Sequence, residues 1–333
     1  MKVVAKTTSV SVRLAKRALI LTLPAIAALP VGDADAKDSG PIRSFAESPT
    51  SSLTSSKSQN RSAQAKKRAR LKMARLKQSK TFASQNTTKI QREIMSGFDP
   101  SVDGFNFANW FGPATPEEDS LSQLIALFGT SSICSQQSTP TNCQPFSSAE
   151  AFAASMNQLI TEGRCEGIVV LASKMFKEHR TGISSKRAIE LDKSEVLGEI
   201  SYWWATQVLP KVSTESARTR SKQPSALIDQ IAAGISNGAT SSLGIYFEGK
   251  GHTLLPIGFR QNGSTVIVDV YDSNTPRLTQ HLIIDSNSES WSYKSADENA
   301  NILMQWSGIG SGGLDVIAID SRKPQLTSFF EKN

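Results

Sequence analysis

The hydrophobic period of this chain changes once, near Ala239, and that change limits the folds open to it. Upstream, apolar residues recur at helical spacing over Ser120 to Gly129, Ser148 to Thr161, Cys165 to His179, Ser194 to Val212 and Pro224 to Gly234. Downstream they alternate or run together in short β-branched blocks: Ser242–Phe247, His252–Phe259, Thr265–Tyr271, His281–Asp285 and Leu314–Ile319. Helices first and strands after, with short connections, describe an α+β fold whose sheet is mostly antiparallel. Asn262-Gly263 is the strongest short hairpin signal in the sequence.

The N-terminus reads as an export signal. Lys2, Lys6, Arg13, Lys16 and Arg17 precede an apolar stretch of about 14 residues from Ala18 to Val31, and Ala34-Asp35-Ala36 offers a small-x-small cleavage site. The stretch is short of the ~20 residues a spanning helix needs. Cleavage after Ala36 is expected, with no lipoprotein cysteine, no twin-arginine pair and no membrane span in the mature chain. The expected location is therefore secreted, periplasmic or at the cell envelope.

Charge is unevenly placed. From Ser48 to Arg92 there are 12 Lys/Arg and no Asp or Glu, whereas from Glu93 to Asn333 there are 18 Lys/Arg against 26 Asp/Glu, a balance of −8. The basic pI thus belongs to an arm, and nucleic-acid binding by the folded part is not expected. The arm is too poor in apolar residues to repay the entropy of folding, so residues 37–95 are expected to be disordered, ahead of a domain over 96–333. Three roles stay open for it: a solvated linker, a tether through residues 48–92 to an anionic envelope polymer or nucleic acid, or a propeptide that docks on the acidic domain.

Three cysteines in an exported chain leave one over. Cys134 and Cys143 lie close in a Ser/Gln/Thr/Pro-rich segment that suits one small disulfide, which leaves Cys165, at the start of a helix whose first turns are apolar nearly all round. A thiolate at a helix N-terminus is stabilised by the helix dipole and by free N–H groups. The cysteine's own N–H would face the oxyanion of a tetrahedral intermediate, a donor worth roughly 3 kcal/mol in such sites.

A histidine is needed beside it. A three-residue Gln261-Asn262-Gly263 loop would set His252 opposite Asp272, with Asn274 on the same face; a two-residue Asn262-Gly263 turn would set His252 opposite Ser273 unless a bulge restored the parity. An imidazole could then pair with the thiol while Asp272 or Asn274 held its tautomer. Plainer readings exist for each part. Cys165 could be a buried inert hydrophobe, His252 a structural strand residue, and Tyr271-Asp-Ser-Asn-Thr-Pro276 an ordinary turn.

Other chemistries lack their residues. His179, His252 and His281 are the only histidines, there is no His-Glu-x-x-His, and Gly308-Ile-Gly-Ser-Gly-Gly313 lacks the Lys-Ser/Thr of a phosphate loop. No metal and no cofactor is expected. His179 and His281 are read as structural.

Gly163-Arg-Cys-Glu-Gly167 before an apolar helix, Gly251-His-Thr-Leu-Leu-Pro-Ile-Gly258, Val270-Tyr-Asp-Ser-Asn-Thr-Pro276 and the tail Ile283 to Tyr293 together resemble papain-like cysteine peptidases. The likeness is to secreted bacterial members near the bacteriocin-processing branch, over about Gly97 to Tyr293. It implies a helical half carrying the nucleophile on its central helix, a sheet half carrying the histidine, and a peptide or protein substrate between them. Cys165 would be nucleophile, His252 general base and acid, and Asp272 the orienting group, or Asn274 as in the papain branch. The papain pattern also has a glutamine six residues before the cysteine; Leu159 stands there, so Gln158, Asn106 and Asn109 are the candidate oxyanion donors. Glu166 beside the thiol is unusual, because a charge facing the sulfur would disfavour a thiolate.

The expectation is an exported thiol hydrolase that cleaves peptide or amide bonds through a thioester. Acyl transfer to an amine, as in transglutaminases, uses the same residue set. The alternative from another class is a non-catalytic binding module held at an anionic envelope by its arm.

Overall fold

The computed structural model describes residues 91–135 and 142–323, so the expected leader and nearly all of the basic arm lie outside the described residues. The folded part begins before residue 96. Arg92–Met95 forms strand β1, paired antiparallel with a later strand, and Arg92 Nη1 meets Asp229 Oδ1 at 2.9 Å.

After a turn-rich aromatic segment the helices follow: α1 (Ser120–Phe128), α2 (Ser147–Ile160), α3 (Cys165–Arg180), α4 (Lys193–Ala205), α5 (Pro210–Arg220) and α6 (Ile228–Ser236). Asp119 caps α1 by accepting from Ser122 N. Asp192 and Glu195 form a capping box at the start of α4. The single helix expected over Ser194 to Val212 is broken. It ends at Ala205, passes through a 3-10 turn over Thr206–Val208, and Pro210 opens α5 in a new direction, since proline suits a first turn and disrupts an interior one.

The strands are β2 (Ser241–Phe247), β3 (Lys250–Asn262), β4 (Thr265–Tyr271), β5 (Thr279–Asp285), β6 (Ser290–Ala296), β7 (Ile302–Ile309) and β8 (Leu314–Ala318). They lie in the order β7-β6-β5-β4-β3-β2-β8, every described pair antiparallel, with β1 on the second half of β3. The sheet is curled, and Phe247 of β2 stacks on Trp306 of β7. The architecture is therefore helices plus an antiparallel sheet, as the change of period implies. Strands β6 and β7 were not expected.

Three apolar clusters hold these layers. One packs α6 on the sheet through Ile231, Ile235, Val268 and Trp291; a second seats α3 on the sheet through Ile168, Leu171, Leu255 and Tyr271; a third joins α1, α2 and α4 through Leu124, Met156 and Trp204. The first nine residues of α3, from Cys165 to Ser173, are all buried, as a central helix requires. Gly167 permits the closest approach: a Cβ there would lie 2.0 Å from the Ile200 carbonyl oxygen on α4. Cys134 and Cys143 form a disulfide, and Cys165 is free and buried. No helix among the described residues is long and apolar enough to cross a membrane.

Candidate active site

His252 reaches the site through two hairpins. The β2–β3 turn is Glu248-Gly249, both at positive φ (49° and 78°), which matches the twist of the strands it joins and pairs His252 with Ile245. The β3–β4 register differs from the expected one. Asn262 pairs with Thr265, so the turn is Gly263-Ser264, one residue further along than either loop anticipated. Continued unbroken, that register would put His252 and Asp272 on opposite faces. A bulge between Pro256 and Gly258 shifts it by one, Leu255 pairs with Tyr271, and His252 returns to the face of Asp272 and Asn274. Pro256 has no N–H for the ladder, and the Ile257 carbonyl is taken by Ser96 N at 2.9 Å.

At the end of β4 the chain leaves the sheet in a turn, with Thr275 N donating to the Asp272 carbonyl at 3.0 Å. Asp272 is wholly buried and its carboxylate is surrounded by donors. Oδ1 takes His252 Nε2 at 2.7 Å and Asn274 N at 2.8 Å, and Oδ2 takes the Tyr293 hydroxyl. Burial alone would raise the Asp272 pKa, but the His252 charge and these hydrogen bonds outweigh it and hold the carboxyl below its ordinary value. Tyr293 is pushed well above the usual phenol range, by burial first and then by the Asp272 charge, so it stays a donor.

The His252 ring is coupled to Cys165 by charge and hydrogen bonding, and with Nε2 committed to Asp272, Nδ1 is the nitrogen left for the sulfur. Burial is the largest influence on the imidazole and favours its neutral form. The charges of Asp272 and then Cys165, with hydrogen bonds to both, prevail and push its pKa up to about 10. Cys165 is 2% exposed and His252 5%.

The turn that leads into Cys165 is built around Arg164. Its guanidinium is buried against Glu118, 2.8 Å from Nε to Oε1, and donates to the carbonyls of Gly112 at 2.9 Å and Pro113 at 3.3 Å. Gly163 has φ +132°, a conformation in which a side chain would be strained and would press on the Asn109 amide at 3.1 Å. Among the described residues no side chain caps α3, so the first-turn N–H groups, that of Cys165 among them, have no capping acceptor there.

The amide of Asn109 fixes a further polarity. Arg164 N can only donate, so the Asn109 atom 2.7 Å away is its oxygen. Asn109 Nδ2 then donates to Asn274 Oδ1 at 3.1 Å, which leaves Asn274 Nδ2 toward His252 Nε2 at 3.4 Å. A donor cannot hold Nε2–H, so of the two candidate orienting groups only Asp272 presents an acceptor to the ring.

Of the three candidate oxyanion donors, Asn109 lies at the site with both ends of its amide engaged. Asn106 is exposed and donates to Ile189 O at 3.2 Å, and Gln158 is exposed on the last turn of α2. The Glu166 carboxylate is engaged by other groups: it is paired with Arg322 and accepts from Thr253 Oγ1. His281 and His179 are taken up elsewhere, His281 Nδ1 with Asp269 at 2.7 Å and His179 Nε2 accepting from Arg187 at 3.1 Å.

Sequence reasoning missed Tyr293, Thr253, Arg322 and the Asn109 bridge. Tyr293 alone had a signal, since Ser-Trp-Ser-Tyr-Lys-Ser alternates in a way that turns Trp291, Tyr293 and Ser295 to one buried face. Compared with protein-family models, curated proteins and solved structures, the chain matches none.

Proposed function

We propose that this chain is a thiol hydrolase of the papain-like kind, with Cys165 as nucleophile, His252 as general base and acid, and Asp272 as the group that orients the ring. The observation that carries the reading is the buried His252 imidazole fixed by Asp272 at 2.7 Å through Nε2, with Nδ1 left for Cys165; the charges of Asp272 and Cys165 raise its pKa. The order of the motifs along the chain and the cysteine at the start of a buried central helix support it further.

In this reading the Cys165 thiolate attacks a carbonyl carbon and a C–S bond forms. Charge builds on the carbonyl oxygen, where the uncapped N–H of Cys165 stabilises it. His252 then gives its proton to the leaving amine as the C–N bond breaks, which leaves a thioester. A water, or a second amine, attacks the thioester while His252 takes its proton; expulsion of the sulfur restores the starting state. Asp272 keeps Nε2–H fixed throughout and stabilises the imidazolium, as expected of such a triad.

The near-complete burial of Cys165 favours one second reading, a binding module with an inert thiol. Incubation of unfolded protein with wild type and Cys165→Ala, with and without an added primary amine, separates the possibilities by mass spectrometry. New termini that depend on Cys165 support hydrolysis, and amine adducts that depend on it support acyl transfer. Neither product from the wild type overturns the enzymatic reading.

A further inference from the structure

We infer that Asn109 is a positioning residue for the thiol chemistry, setting both the spacing and the hydrogen-bond polarity of the pair; this rests on the reading just proposed. Both ends of the Asn109 amide are engaged by protein groups. It acts through its neighbours on both sides of the site.

On one side its Oδ1 accepts from the N–H of Arg164, the residue before the nucleophile, at 2.7 Å. The other side is met twice: its backbone N donates to Ser273 O at 2.8 Å, and its Nδ2 donates to Asn274 Oδ1 at 3.1 Å. Ser273 and Asn274 follow Asp272 directly, so one side chain spans from the start of α3 to the turn that holds the histidine. The loop that carries Asn109 is itself pinned by Arg164, through the carbonyls of Gly112 and Pro113 and through Glu118. A shift of Asn109 therefore moves the thiol's turn and the ring's turn relative to each other.

Polarity follows from the same atoms. Because Arg164 N–H fixes the Asn109 oxygen, Asn109 offers a donor to Asn274, Asn274 answers with its oxygen, and its NH2 group is turned toward Nε2. Asn274 is thereby excluded as an acceptor for Nε2–H, and that proton is given to Asp272 alone. An aspartate at 109 would reverse this relay. It can only accept, so Asn274 would turn its NH2 to residue 109 and its oxygen to the ring.

The test is the alkylation rate of Cys165 by iodoacetamide at about pH 6, where an ordinary thiol of pKa about 8.5 is almost wholly protonated. Asn109→Ala should slow it by about tenfold, the scale of a group that aligns reacting partners, with far-UV circular dichroism unchanged. An unchanged rate in the folded variant overturns the inference. Should Asn109→Ala not fold, the near-isosteric Asn109→Asp decides. In an Asp272→Ala background, adding Asn109→Asp should raise the rate, and further adding Asn274→Ala should abolish the gain. No gain, or a gain that survives Asn274→Ala, overturns it. A wild-type rate that His252→Ala leaves unaltered overturns both this inference and the hydrolase reading, which separates that failure from failure of the Asn109 role alone.

Discussion

Glu166, the residue after the candidate nucleophile, sets its carboxylate against the guanidinium of Arg322, 156 positions along the chain. Arg322 also donates to Thr206 Oγ1 and Ser242 Oγ, each at 3.0 Å, so the pair joins the end of α4, the start of β2 and the central helix. Thr253 Oγ1 donates to the same carboxylate, which ties the neighbour of His252 to the neighbour of Cys165.

Removing one partner of a buried ion pair leaves the other uncompensated, at a cost of about 3–5 kcal/mol. Arg322→Ala should lower the stability measured by urea unfolding by that amount, and Glu166→Gln added to it should recover a large part. A loss below about 0.5 kcal/mol, the ordinary range for surface changes, would contradict the burial of the pair.

Stability should depend on pH through the His252–Asp272 pair. The Asp272 pKa is depressed, so its contribution is present above the unfolded value of 3.8 and is lost as pH falls through the lower folded value. The His252 pKa is raised from 6.5 to about 10, so its contribution is complete below 6.5 and is lost as pH rises through about 10. The difference in melting temperature between wild type and Asp272→Asn should accordingly be widest between these limits and narrow on both sides. A difference that grows steadily into alkali would have the wrong sign.

Gly167→Ala should destabilise by about 1–3 kcal/mol, the usual cost of overpacking, because its methyl would overlap the Ile200 carbonyl. A melting temperature at or above that of wild type would contradict the helix contact. Gly198→Ala, on α4 with 3.3 Å to its nearest neighbour, serves as the comparison and should cost less.

Much of this was legible in the sequence because it is local. The period change gave the order of helices and strands, Cys165 stood at a helix start, and His252 and Asp272 lay in one hairpin. The register was not legible, since the turn lies one residue beyond Asn262-Gly263, which shifts the pairing by two and keeps its parity, and the face of His252 is then set by a bulge at Pro256–Gly258. The choice between Asp272 and Asn274 turned on amide orientation, fixed by a backbone N–H at Arg164 that belongs to another part of the chain. The role of Arg322 was beyond reach for the same reason: no spacing rule links it to Glu166. Strand β7, Ile-Leu-Met-Gln-Trp-Ser-Gly-Ile, has no strict alternation for a period search to find, and it lies at a sheet edge with Ile302 and Ile309 exposed.

The central proposal, a charged His252 acting on the Cys165 sulfur, is tested most directly by the pH dependence of Cys165 alkylation in the native protein. Wild type should react readily at about pH 6, far below the ordinary thiol pKa of about 8.5, and His252→Ala should lose that acid-side reactivity and follow the ordinary titration. A native thiol that does not react, or a profile identical in wild type and His252→Ala, would contradict it.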